Sequence, residues 1–122
     1  MTVHQSHFRF SDRVCAVCAR PATCLGWVPA NNYAKHPIAW LCDDAECVDI
    51  IARTYSMKQL EFSRIDSLAT QEAGAALEGF CDKIGKSDLR DLTQAEFDSA
   101  MMAVIAAYRD ALKTKLRDEA PF

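Results

Sequence analysis

Cys15-Ala-Val-Cys18 and Cys42-Asp-Asp-Ala-Glu-Cys47 are the two stretches that decide how this chain folds. The first is a C-x₂-C pair, the second a C-x₄-C pair, and 23 residues separate them. Zinc takes four soft ligands in a tetrahedron, and two short-spaced cysteine pairs joined by a longer loop supply that geometry. The first pair can close a tight knuckle whose backbone amides hydrogen-bond to the sulfurs. The second straddles a helix start: Cys42 lies in the approach, and Asp43, Asp44 and Glu46 fall where acidic groups favour the helix dipole. Cys47 then presents its sulfur from the first turn. The expected ligand set is Cys15, Cys18, Cys42 and Cys47 around one structural Zn²⁺.

Working outward, Trp27-Val28-Pro29 and Ile38-Ala39-Trp40-Leu41 are β-prone runs flanking the polar loop Ala30–Pro37. Knuckle, β-hairpin and ligand-bearing helix, in that order, predict a small treble-clef or zinc-ribbon-like module over residues 1–56, with 1–8 as a candidate disordered terminus. Cys24, six residues after Cys18, is a candidate to replace one member of the quartet or to pack as a buried thiol. Cys81 reads as a core-edge residue on a later helix. A redox role for the Cys15/Cys18 pair is the competing chemistry, but it leaves the second pair unexplained. His4, His7 and His36 are further candidate ligands, and no spacing places them at a metal; His36, beside Pro37, reads as exposed.

Beyond the module the periodicity becomes helical. A first helix is predicted from about Asp44 to Tyr55, with Val48, Ile51, Ala52 and Tyr55 on its apolar face and a break at Ser56-Met57, where Ser56 is a candidate cap. A second spans about 60–84, its stripe formed by Ile65, Leu68, Ala69, Ala73, Ala76, Leu77, Phe80 and Ile84. Gly85 is placed to cap it in the left-handed conformation. Gly74 and Gly79 inside it imply close approach of a neighbouring helix. Thr93-Gln94-Ala95-Glu96 is a capping box with Leu92 and Phe97 at the staple positions, so a third helix is predicted over about 94–117. Its stripe is Phe97, Met101, Val104, Ile105, Tyr108, Leu112 and Leu116. The expected fold is therefore α+β, mostly α: the Cys₄ module followed by a long antiparallel helical hairpin over 57–122.

Composition narrows the function. Half of the 122 residues are hydrophobic, enough for a core. No run reaches the roughly 18 apolar residues of a membrane span, and the N-terminal residues carry no secretory pattern. A cytoplasmic protein is expected, and there six cysteines are poor candidates for a disulfide framework. Residues 1–55 hold five basic and five acidic side chains; residues 56–122 hold nine and twelve, supplying the whole net charge of −3. Nucleic-acid binders usually carry the opposite balance, so a protein partner is favoured. Arg13, Arg20, Trp27, Lys35 and Arg53 nevertheless form a candidate nucleic-acid patch. No Ser-His-Asp set, glycine-rich phosphate loop or acid/base pair is present, and Asp88 and Asp91 read as turn residues. A non-enzymatic protein is expected.

Two segments, Cys15-x₂-Cys18-Ala-Arg20-Pro21-Ala-Thr-Cys24-Leu-Gly26-Trp27 and Phe80-Cys-Asp-Lys-Ile84-Gly85-Lys86-Ser-Asp88-Leu89, resemble an uncharacterised family of short phage- and prophage-encoded zinc-binding proteins. The resemblance covers most of the chain and implies a bacterial host cell, with the connector Gly85–Leu92 as a feature shared by the family and a candidate interaction surface. It brings no established activity. The leading expectation is an adaptor or inhibitor binding a host or phage protein, with a homodimer through the helical hairpin as one mode of assembly. The alternative is a nucleic-acid-binding accessory protein in phage replication, recombination or transcription.

Overall fold

The computed structural model describes residues 8–23, 25–29 and 36–118. A 3₁₀ turn at Phe8–Phe10 precedes two short strands, β1 (Leu25–Trp27) and β2 (Ala39–Leu41), and three helices follow: α1 (Ala45–Thr54), α2 (Gln59–Ile84) and α3 (Gln94–Asp118). Among the described residues the fold is mostly helical, with one two-stranded antiparallel sheet.

The first strand lies earlier than its β-prone run. Leu25, Gly26 and Trp27 pair with Leu41, Trp40 and Ala39, whereas Val28 and Pro29 lie beyond the ladder. Proline has no N–H to give a ladder, and Gly26 is what lets the strands meet. A Cβ there would lie 2.8 Å from Ile38 Cγ2 and 3.3 Å from Trp40 Cζ3.

Helix α1 is rotated from the expected face. Its buried residues are Cys47, Ile50, Ile51 and Thr54, an i, i+3, i+4, i+7 set that begins at the cysteine. The inward sulfur sets the rotation: Ile50 turns in, Ala52 turns out, and Val48 and Tyr55 pack at the margin. The N-cap is Asp44, which accepts a bond from the Glu46 amide at 2.9 Å.

Helix α2 starts one residue earlier than expected, capped by Lys58 with no side-chain bond, so Ser56 does not cap it. Gly85 ends it at φ 72°, with its own amide bonded to Asp82 O and the Lys86 amide to Cys81 O. The expected reason for Gly74 and Gly79 is overturned: a Cβ at either would meet nothing within 4 Å. They weaken the helix without admitting a neighbour. The capping box of α3 is closed in both directions, Glu96 N to Thr93 Oγ1 at 3.1 Å and Thr93 N to Glu96 Oε1 at 2.9 Å.

Helices α2 and α3 pack along each other. Lys86 bonds Glu96 at 2.6 Å beside the connector, and the Tyr108 hydroxyl bonds the buried Asp66 carboxylate farther along. Burial is concentrated away from the connector. Phe62, Ile65, Ala69, Leu112 and Leu116 join Cys15, Cys18, Cys42 and Cys47 in one core cluster. Toward the connector the stripes thin out: Leu77, Phe80 and Ile84 are half-buried, and Phe97 and Ile105 are exposed. The core of the helices and the cysteine cluster are thus one continuous apolar body.

Candidate metal centre

The chain between Val14 and Pro21 doubles back on itself. Val14 bridges Pro21, the Cys15 amide donates to Arg20 O at 2.7 Å and the Ala19 amide to Cys15 O at 3.0 Å. This loop carries Cys15 and Cys18, and the Val17 amide donates to Cys15 Sγ at 3.4 Å. Closing so tight a turn forces Ala19 to φ 62°, a conformation that favours glycine. The Ala16 amide then bonds Trp40 O at 2.8 Å and the Thr23 amide bonds Leu41 O at 3.0 Å, fixing the knuckle to β2. Cys42 follows β2 directly, and Cys47 occupies the first turn of α1, its amide bonded to Asp44 O at 3.0 Å.

The four sulfurs converge. Those of Cys15, Cys18, Cys42 and Cys47 all lie within 4.8 Å of one another, and all four residues are buried. Cys42 Sγ stands 3.7 Å from both Cys18 Sγ and Cys47 Sγ. Disulfides need a separation of about 2.05 Å, so these are free thiols. A tetrahedron with metal–sulfur bonds of about 2.3 Å has edges of about 3.8 Å. The cluster matches that size and can hold one metal ion. Buried thiols alone are small hydrophobes and need no such convergence.

Charge points the same way. Hydrogen bonds from Cys18 and then Cys47 hold Cys15 far below the ordinary thiol range. The interaction with Cys15 pushes Cys18 up to about 12 and pushes Cys47 up as well. Without a metal, negative charge at Cys15 therefore limits further thiolate at Cys18 and Cys47. A dication removes that limit by replacing the protons, so metal uptake is coupled to proton release. The positive end of α1 adds a smaller stabilisation to thiolate at Cys47.

Acidic groups at the start of α1 face outward to α3 instead. Lys113 Nζ lies 2.6 Å from Asp44 Oδ2 and 2.8 Å from Glu46 Oε1, and Arg117 Nη1 lies 3.1 Å from Glu46 Oε2. Bonds from Lys113 hold both carboxylates below their usual range. The helix that presents Cys47 is thereby clamped to α3.

Among the described residues, no other candidate ligand joins this cluster. Cys24, Lys35, His4 and His7 lie outside the described residues. His36 is half-buried, its ring edge-on to Tyr55 at 6.1 Å, rather than exposed. Cys81 is half-buried on α2, beside Leu77, Ser87 and Leu89 at one shallow groove. Of the candidate nucleic-acid patch, Trp27 packs on Tyr55 at 5.3 Å between ring centres. Arg20 sits 3.8 Å from Asp110, and Arg53 donates to Arg117 O at 3.5 Å. Asp88 bonds the Arg90 amide and guanidinium as a turn residue does.

Sequence reading missed Arg9. It is 3% exposed, lies 4.7 Å over the centre of the Phe62 ring and donates to Thr54 Oγ1 at 2.8 Å. Its signal was the triplet Phe8-Arg9-Phe10, a cation between aromatic residues near the first cysteine pair. Compared with protein-family models, curated proteins and solved structures, the chain matches none.

Proposed function

We propose that this chain is a non-enzymatic, zinc-stabilised interaction protein, an adaptor or inhibitor that binds a bacterial or phage protein in the cytoplasm of the host. In this reading residues 1–56 form a treble-clef-like module around one structural Zn²⁺, and residues 57–122 form an antiparallel helical hairpin that offers the docking face. The observation that carries it is the all-thiol composition of a buried centre. Four cysteine ligands complete a zinc tetrahedron and leave no position for a substrate water. Such a centre holds a fold together; it does not hydrolyse.

An interaction role draws support from α3. Met102 is 72% exposed, and Ile105 and Phe97 are exposed with it, as is Leu89 in the connector. The proposed partner is a protein, because the net charge is −3 and several cations are paired internally: Arg20 with Asp110, Lys113 with Asp44 and Glu46, Lys115 with Glu72. Native mass spectrometry of the untagged protein tests the core of the proposal by reading metal and assembly together. One zinc per chain, removed by a chelator together with helical circular dichroism, is the expected result. A folded, metal-free mass sinks the zinc assignment, and an iron mass replaces it with a different centre. A dimer peak makes α3 the first surface to map. Binding to single- or double-stranded DNA or RNA that weakens steeply with salt would move the function to the nucleic-acid alternative.

A further inference from the structure

Arg9 is a cation in an expensive place. Its residue is 3% exposed, yet among the described residues its guanidinium meets no carboxylate. One arm donates to Thr54 Oγ1 at 2.8 Å, the other makes a weak 3.6 Å contact with Met57 Sδ, and Nε, also buried, has no acceptor among the described residues. A contact with the Phe62 ring softens the burial but does not neutralise the charge. Buried unpaired charge is costly enough that folds tolerate it rarely without a compensating field. Burial lowers the guanidinium to about 10, and negative charge on Cys15 acts in the opposite direction.

The surroundings of Arg9 are those of the cysteine centre. Its 3₁₀ turn touches β2, the strand that anchors the knuckle and leads into Cys42. Thr54 lies on the buried face of α1 two turns below Cys47, a rise of about 10 Å. Phe62, beneath the guanidinium, belongs to the same buried cluster as all four cysteines. A dication bound by four thiolates carries a net charge of −2, enclosed here in apolar surroundings.

We propose that Arg9 is the internal counter-charge of the metal–thiolate centre: a positioning residue that ligates nothing but makes a dianionic Cys₄ site tolerable in the core. This rests on the zinc reading above. It assigns the missing carboxylate a substitute, because the anion that balances Arg9 is the centre itself. At an effective dielectric of about 20, a unit charge within about 20 Å of a dianion changes a binding equilibrium at least tenfold.

The test is competition for zinc against a calibrated chelator at fixed pH and ionic strength, using full-length wild type, Arg9→Met and Arg9→Lys. Methionine keeps the apolar length and removes the charge; lysine keeps the charge and loses the fork that reaches Thr54. Zinc affinity is expected to fall about tenfold or more in Arg9→Met and to stay within about threefold of wild type in Arg9→Lys. Thermal midpoints measured alongside give the purely structural cost, which both variants share through loss of the Thr54 bond. Equal affinities for wild type and Arg9→Met overturn the proposal, as does an equal loss in both variants. If Arg9→Met does not fold, Arg9→Lys decides: a tenfold loss with the charge retained rejects the counter-charge role. Retained affinity is then checked by the energy of the sulfur-to-metal charge-transfer band in cobalt-loaded Arg9→Gln against wild type, where an unshifted band rejects it. Wild type that takes up no zinc at all is a failure of the zinc reading rather than of this inference.

Discussion

Among the described residues between Val14 and Leu41, regular structure amounts to two three-residue strands and one isolated bridge. Yet Cys15, Ala16, Val17, Cys18, Ala39 and Leu41 are all no more than 1% exposed. From Gln59 to Asp118 the chain is mostly two long helices, and half-buried or exposed apolar side chains run down their connector end. The first region has much burial and little backbone regularity; the second has the reverse. Helices satisfy their own backbone bonds and need only one packed stripe. A knuckle has few internal bonds, so its order must come from the groups it encloses. In this molecule those groups are four sulfurs.

That contrast predicts unequal answers to loss of one sulfur. Cys42→Ser removes the residue that stands 3.7 Å from both Cys18 and Cys47. Structural zinc contributes on the order of 10 kcal/mol to folding of small finger domains at neutral pH, so this is the largest effect expected. Zinc should be lost, and hydrogen exchange should accelerate at the Ala16, Ala19 and Thr23 amides, which the knuckle holds. Exchange near the Gly85 cap and the start of α3 should rise least. A uniform rise along the whole chain would mean that the two regions are one cooperative unit, joined through Phe62, Ile65 and Leu112, and the contrast would then be one of geometry alone.

The next test lies within the helices. Tyr108 donates to Asp66, a carboxylate that is 2% exposed. Burial comes first, and the Asp66 carboxylate second, among the causes that raise the tyrosine above its ordinary range. Removing one donor to a buried charged acceptor costs about 2 kcal/mol. Tyr108→Phe should lower the denaturation midpoint accordingly while leaving zinc stoichiometry at its wild-type value. A loss of metal in this variant would show that the α2–α3 packing, rather than the knuckle, holds the sulfurs in place.

Between the regions runs the Lys113 clamp. Lys113→Ala should cost about 1 kcal/mol or less at neutral pH, since the partly exposed ion pairs are screened by water. Its pH dependence is more telling than its size. Asp44 and Glu46 are held below their usual range by Lys113, and Lys113 is held above its own by Asp44 and then Glu46. The carboxylate contribution is therefore complete above their unfolded values near 4 and disappears as pH falls through the lower folded values. The lysine contribution is complete below its unfolded value near 10.4 and disappears only above it. Wild type and Lys113→Ala, compared by urea denaturation, should differ most between about pH 5 and 10, and the gap should narrow as pH falls through the lowered carboxylate range. A gap that does not narrow with acid would assign the effect to packing of the lysine stem.

What could be read without coordinates divides along the same line. The α2 and α3 boundaries, the Gly85 cap and the Thr93–Glu96 box followed from local rules, because each involves residues within a few positions of one another. The four cysteines were legible as a set because metal geometry ties distant residues through a short list of spacings. Rotation of α1 was not: the apolar pattern admitted both Ala52 and Ile50, and the direction of Cys47 chose between them. Arg9 was hidden for a related reason. An arginine reads as exposed unless its partners are known, and its partners Thr54 and Phe62 are 45 and 53 positions away. The loop between the β-prone runs was misplaced at its start because the need for Gly26 opposite Trp40 exists only once the strands are paired.

The smallest predicted effects make the contrast sharpest, because they ask opposite substitutions to act in the same direction. Ala19 sits at φ 62° immediately after Cys18, where an L side chain costs roughly 1 kcal/mol. Ala19→Gly removes that strain, and the greater freedom of glycine in the unfolded chain takes part of the gain back. A net stabilisation of about 0.5 kcal/mol is expected, with zinc bound slightly more tightly. Gly74 is in the interior of α2, exposed, with open space where its Cβ would go. Gly74→Ala should stabilise by up to about 1 kcal/mol and leave zinc affinity untouched. Both are read from urea midpoints, with chelator competition run in parallel. If Gly74→Ala instead destabilises, the exposed face of α2 is covered by something in solution, and a second copy of the chain is the first candidate to look for. If Ala19→Gly weakens metal binding, the left-handed turn contributes to holding Cys15 and Cys18 in register, and its strain belongs to the centre rather than to the loop.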